Sequence, residues 1–160
     1  VMNFGLSGRT LLSSRDMPHT AEKHYRKSLD IENADYIIML GTNDTKPQNW
    51  DKARFGAELW ELLCAYRQRG GVTVMTPPKA FAVPGETGVA YEIRDEMLQM
   101  EREIIAETAA MLRIPVIDLY GFTEHHSEWF PDGVHPNVEG NREIANHIAA
   151  MEGQYALYRD

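Results

Sequence analysis

A chain of 160 residues with 43% hydrophobic and 25% charged side chains has the size and balance of one soluble globular domain with room for a core. Its net charge of −8 repels phosphate backbones and disfavours nucleic acid as a partner. No apolar run reaches the length of a membrane span. The single Cys64 cannot form an intramolecular disulfide, which tilts the expected compartment toward a reducing cytoplasm.

No repeat, linker or low-complexity tract divides the chain, so residues 1–160 read as one domain. Val1–Phe4 is a short apolar start broken by the glycines of "GLSG", and is expected to be a strand. Residues Thr20–Ser28 are polar with a weak helical tendency. "ADYIIMLG" (Ala34–Gly41) is a continuous apolar run closed by Gly, which reads as a strand buried on both faces. From Asp51 to Arg69, Phe55, Leu59, Leu62, Leu63 and Tyr66 recur at helical spacing until Gly70-Gly71 stops them. "VTVM" (Val72–Met75) is a second buried strand, ended by Pro77-Pro78, and Lys79–Gly88 is a loop. A long amphipathic helix follows over Ala90–Arg113, with Ile93, Met97, Ile104, Thr108 and Met111 on one face. "PVIDLY" (Pro115–Tyr120) is a further strand, and Val138–Met151 is a last helix.

Strands alternating with helices, the strands uniformly apolar, predict an α/β fold: a parallel sheet with helices on both faces. Ligands of such sheets bind beyond the carboxyl ends of the strands. Three of the loops at those ends carry unusual residues.

The first, "NFGLSGRT" (Asn3–Thr10), is Gly-rich, so its backbone can turn sharply and present N–H groups. By itself it also fits a plain strand-to-helix turn. Ser7 is not the nucleophile of a G-x-S-x-G elbow, because Arg9 stands where the second Gly belongs. The second, "GTND" (Gly41–Asp44), puts Asn43 directly after a buried strand, either as an Asx turn or as an amide aimed into the crevice. The third, "FPDGVHPNVEG" (Phe130–Gly140), holds Asp132 and His135 three residues apart. It is either a capped turn or a carboxylate set to fix the tautomer of an imidazole whose other nitrogen takes a proton. A metal site is disfavoured, since two ligands on one turn lack a third.

"N-x-G-x-S-G", then "GTND", then "DGVHPN" before a final helix resembles the SGNH (GDSL-type) hydrolase family of esterases and lipases, over Asn3 to the last helix. The resemblance implies a three-layer, flavodoxin-like α/β/α domain. It assigns Gly8 and Asn43 to an oxyanion hole and Asp132 and His135 to a catalytic triad. It also implies a Gly-Asp-Ser block with the nucleophilic serine on a strand upstream of "NFGLSG", and residues 1–160 contain none. That strand would be the central one, between Val1–Phe4 and Ala34–Leu40. The expectation is therefore an N-terminally incomplete domain with a gap in its sheet.

The implied reaction is hydrolysis of a small carboxylic ester, with acetyl groups on carbohydrates as the leading substrate, and needs no cofactor. Arg9, Trp129 and Phe130 are candidate substrate contacts. Arg9 alternatively faces solvent, and the two aromatic residues alternatively anchor their loop. His125-His126 read as exposed loop residues and Cys64 as a small buried hydrophobe. The competing function is a non-catalytic small-ligand or carbohydrate-binding module without the nucleophile. A flavodoxin-like cofactor binder shares the architecture but leaves Asp132 and His135 unexplained.

Overall fold

The stretches "ADYII" and "VTVM" of the sequence become paired parallel strands. The structure, a computed structural model, describes residues 1–85 and 88–156. Strands β1 (Ala34–Ile38), β2 (Gly70–Met75) and β3 (Val116–Ile117) lie in that order, with Tyr36 opposite Val72 and Val74 opposite Val116. Val72, Thr73 and Val74 are all buried, so the central strand β2 is covered on both faces. The helices are α1 (Lys23–Leu29), α2 (Lys52–Arg67), α3 (Asp95–Leu112), α4 (Leu119–Thr123) and α5 (Val138–Ala156).

Helix α2 starts at Asp51, whose carboxylate accepts the Arg54 N–H. It buries the predicted stripe Phe55, Leu59, Leu62, Leu63 and Tyr66. That stripe meets Val72 and Val74 of β2 and Ile105, Ala109 and Leu112 of α3 in the main core. Each fully buried Leu or Phe contributes roughly 1.5–3 kcal/mol to folding. Cys64 is half-buried at the edge of this core rather than inside it.

Five sequence expectations need correction. The long helix begins at Asp95, and residues 90–92 form a separate short turn. Its buried face is Leu98, Glu101, Ile105, Thr108, Ala109 and Leu112, while Met111 is 66% exposed. The stripe is rotated toward Leu98, Ile105 and Leu112, with Glu101 among its buried members. The third strand is two residues long, because the Asp118 carboxylate accepts the Gly121 N–H and caps α4 where the strand was expected to continue. Val1–Phe4 forms no strand, and Val1 and Met2 are exposed. Strand β1 is not buried on two faces: its accessibility alternates, and Ile37 and Met39 remain 45% and 43% exposed.

The last two corrections share a cause. β1 is an edge strand, and a groove of about 380 Å³ runs along it. Residues 2–6 line this groove together with residues 34–40, with Leu62 and Tyr66 of α2 also contributing. A segment with no strand beside it has no ladder to join. No helix among the described residues is long and apolar enough to cross a membrane.

Candidate active site

The loop after the N-terminal segment is turned by Gly8, whose φ of +77° lies in the left-handed region. The Gly8 N–H makes no hydrogen bond among the described residues. The Arg9 guanidinium pairs with Glu22 at 2.8 Å and donates to the Ser7 carbonyl.

Strand β1 leads into a short turn over Thr42–Thr45. The Asn43 amide donates to the Arg9 carbonyl at 3.3 Å, and the Asn43 carbonyl accepts from the buried Asn49 side chain at 2.9 Å. Asp44, fully buried, accepts the Leu11 and Leu12 N–H groups, each at 2.8 Å. The loops carrying Gly8 and Asn43 are thus joined by hydrogen bonds. Burial pushes the Asp44 carboxyl up to about 6, against the pull of the Leu12 and Leu11 N–H groups.

Beneath this turn lies Glu101 of α3. It is completely buried, and neither of its carboxyl oxygens has a hydrogen-bond partner. Burial, with Asp44 close by, raises its carboxyl well above the usual range, so it is held neutral. Gly41 makes room for it: a Cβ there would stand 2.4 Å from Glu101 Oε2, and the Gly41 φ is +133°.

The Asp132 carboxylate both caps its turn and reaches the His135 imidazole. Asp132 Oδ1 accepts the N–H groups of Val134 at 2.9 Å and His135 at 2.7 Å, which is a capped turn. Oδ2 lies 2.8 Å from His135 Nδ1. Burial works to raise the Asp132 carboxyl, but the two N–H groups and the imidazole outweigh it and hold it far below the carboxylate range. An ionised Oδ2 only accepts, so Nδ1 carries the proton and Nε2 has its lone pair free. Nε2 makes no hydrogen bond among the described residues. Gly133, φ +79°, permits the turn, because its backbone presses on the Phe81 carbonyl.

Trp129 and Phe130 pack as loop anchors. Trp129 is 8% exposed and stacked on His126 at 3.8 Å between ring centroids. Phe130 lies against Phe81, with centroids 5.5 Å apart. His126 is therefore a packed residue, also paired with Glu128, whereas His125 is exposed. In the loop after β2, Lys79 binds Asp95 at 2.7 Å and the Tyr120 hydroxyl at 2.9 Å, tying that loop to α3 and α4.

No hydrogen bond among the described residues joins the Gly8–Asn43 half directly to the Asp132–His135 half. The segment Tyr91–Arg94 touches both. The Arg94 N–H donates to Thr45 Oγ1 at 3.3 Å, and the Tyr91 hydroxyl donates to Asp132 Oδ2 at 3.2 Å. The contacts of Asp44, Asn49, Tyr91 and Glu101 with these loops were not legible in the sequence. "GTND" pointed to the loop of the first, but nothing local marks the others.

A three-stranded parallel sheet packed with helices places the chain in the general class of α/β proteins. The profile of the GDSL-like lipase/acylhydrolase family matches residues 1–143, and the chain belongs to that family. It is 30% identical over 172 aligned positions to an acetylxylan esterase of Xylanibacter ruminicola, an alignment that covers 94% of this chain and 35% of that protein. The chain thus spans about a third of that relative's length. Among solved structures, the M. smegmatis aryl esterase superposes with a TM-score of 0.73 at 19% identity, over 96% of this chain and 76% of that one. A carbohydrate acetylesterase from Sinorhizobium meliloti gives a TM-score of 0.71 at 20% identity, again over 96% and 76%. These likenesses establish the flavodoxin-like α/β fold for the chain.

Proposed function

We propose that this chain carries the general base, the orienting carboxylate and two oxyanion donors of a serine carboxylic-ester hydrolase. The observation that supports this most is the pairing of His135 Nδ1 with an ionised Asp132 at 2.8 Å, Nε2 remaining unbonded. In this reading a serine hydroxyl attacks the ester carbonyl while His135 Nε2 takes its proton. Asp132 stabilises the imidazolium, which then protonates the departing alcohol. Charge collects on the carbonyl oxygen, where the Gly8 N–H and the second N–H of the Asn43 amide donate to it. Water, deprotonated by the same imidazole, then clears the acyl-serine.

The serine is assigned to a strand outside residues 1–160 that pairs with the free edge of β1 and fills its groove. The support is the open edge itself, with exposed Ile37 and Met39 along it. Small esters are the substrate class, and acetyl groups on carbohydrates the preferred members. That choice rests on the acetylxylan esterase to which the chain is 30% identical. The second reading is a non-catalytic carbohydrate-binding module. One observation favours it: no serine hydroxyl among the described residues bonds His135.

One experiment separates them. The whole protein is assayed on a chromogenic acetyl ester and on acetylated xylo-oligosaccharide, as wild type and as His135→Ala. Loss of about 10³-fold or more in turnover on His135→Ala is the expected result. Oligosaccharide binding without any turnover in the wild type would replace the esterase reading with the binding module.

A further inference from the structure

We infer that Tyr91 is a positioning residue for the Asp132–His135 pair, an assignment that rests on the esterase reading for its catalytic meaning but not for its structural content. Tyr91 lies 41 residues before Asp132, and the fold alone brings it there. Its ring meets the His135 imidazole edge to face, with centroids 5.1 Å apart and planes at 82°. Its hydroxyl donates to Asp132 Oδ2, the same oxygen that faces His135 Nδ1. Tyr91 therefore contacts both members of the pair, and among the described residues Asp132 and Tyr91 are the titratable groups in contact with the imidazole.

The backbone supports a dedicated role. Tyr91 has φ 60° and ψ 22°, and Glu92 follows with φ 59°. Two consecutive non-glycine residues in the left-handed region are costly and persist only where the surroundings impose them. The anchors are on the next two residues. Ile93 is buried in the small core under this loop, and the Arg94 N–H is held by Thr45 Oγ1, two residues beyond Asn43. The strained turn is thus a strut. One end is fixed to the loop of the proposed oxyanion donor, and the other carries an aromatic ring against the proposed base. His135 itself is exposed, so the turn supplies the packing that the solvent side lacks.

In this role Tyr91 keeps the imidazole plane aligned with the carboxylate, so that Nδ1 holds the proton and Nε2 faces the reacting hydroxyl. It touches neither substrate nor the transferred proton.

The test is nitrogen NMR of ¹⁵N-histidine-labelled whole protein, with kinetics in parallel, on wild type, Tyr91→Phe and Tyr91→Ala. The wild type is expected to show His135 in the Nδ1–H tautomer. Tyr91→Phe keeps the ring contact and should keep that tautomer, with turnover lowered two- to threefold by loss of the hydroxyl. Tyr91→Ala should move the two ring-nitrogen shifts toward a mixture of tautomers. It should also lower kcat by about tenfold, the size of an aromatic-pair contribution, with KM changed less than twofold. Unchanged tautomer shifts in Tyr91→Ala would overturn the assignment, whatever the enzyme does. Altered shifts in a protein without ester turnover would uphold the positioning and sink the esterase reading alone.

Discussion

Asp44 holds Leu12 from 32 residues away, through a fully buried carboxylate that accepts the Leu12 and Leu11 N–H groups at 2.8 Å each. Those two N–H groups open the stretch that follows Gly8, and Asp44 itself follows Asn43. One side chain therefore fixes the two proposed oxyanion donors relative to each other. Asp44→Ala would leave two buried donors unpaired. The expected loss is about 2–4 kcal/mol in unfolding free energy, read from the urea midpoint at constant slope. A midpoint within 0.5 kcal/mol of wild type (roughly the effect of an ordinary surface substitution) would show that the clamp bears no strain.

Asn43→Ala tests the donor rather than the clamp. The amide acts on charge that exists only in the transition state, so kcat should fall by about 10²–10³ while KM stays nearly constant. A rise in KM at unchanged kcat would place Asn43 in ground-state binding instead.

Glu101 makes stability depend on pH in a defined direction. Its folded-state carboxyl is raised well above the ordinary 4.5 of a glutamate, so the native state keeps a proton that the unfolded chain releases. Its contribution is complete below 4.5 and is lost as pH rises toward the folded value. Asp44 works in the same sense between 3.8 and about 6. Glu101→Gln removes the ionisable group while keeping its shape. The variant should gain about 1–3 kcal/mol over wild type at pH 8 and gain little at pH 4, measured by denaturant melts at both values. Equal gains at both pH values would mean that Glu101 is not held neutral.

Gly133 and Gly85 form a matched pair for thermal melts. Both have positive φ, +79° and +88°. A Cβ on Gly133 would come within 2.0 Å of the Phe81 carbonyl oxygen, whereas one on Gly85 would meet nothing within 4 Å. Gly133→Ala should cost about 2–4 kcal/mol and most of the turnover, because the Asp132–His135 turn must open. Gly85→Ala should cost only about 1 kcal/mol, the backbone penalty alone. Similar melting shifts in the two variants would assign the effect to backbone strain and not to the Phe81 contact.

The sequence by itself determined the parts whose signal is local. β2 and α2 follow from a short β-branched stretch ended by prolines and a 3.6-residue stripe, and both lie within a few residues of where those patterns place them. The Asp132–His135 pairing was legible because both partners sit on one turn, where spacing alone brings carboxylate and imidazole together. Only the tertiary structure decided the rest. Nothing local marks Glu101, which packing buries under Gly41. Tyr91 has no relation to His135 until a strained turn, pinned at Thr45, folds it across. β1 reads as doubly buried, yet its outer edge borders an open groove. The physical reason is the same in each case: hydropathy and spacing describe a residue's own stretch of chain, whereas burial, partner and edge are set by segments remote in sequence.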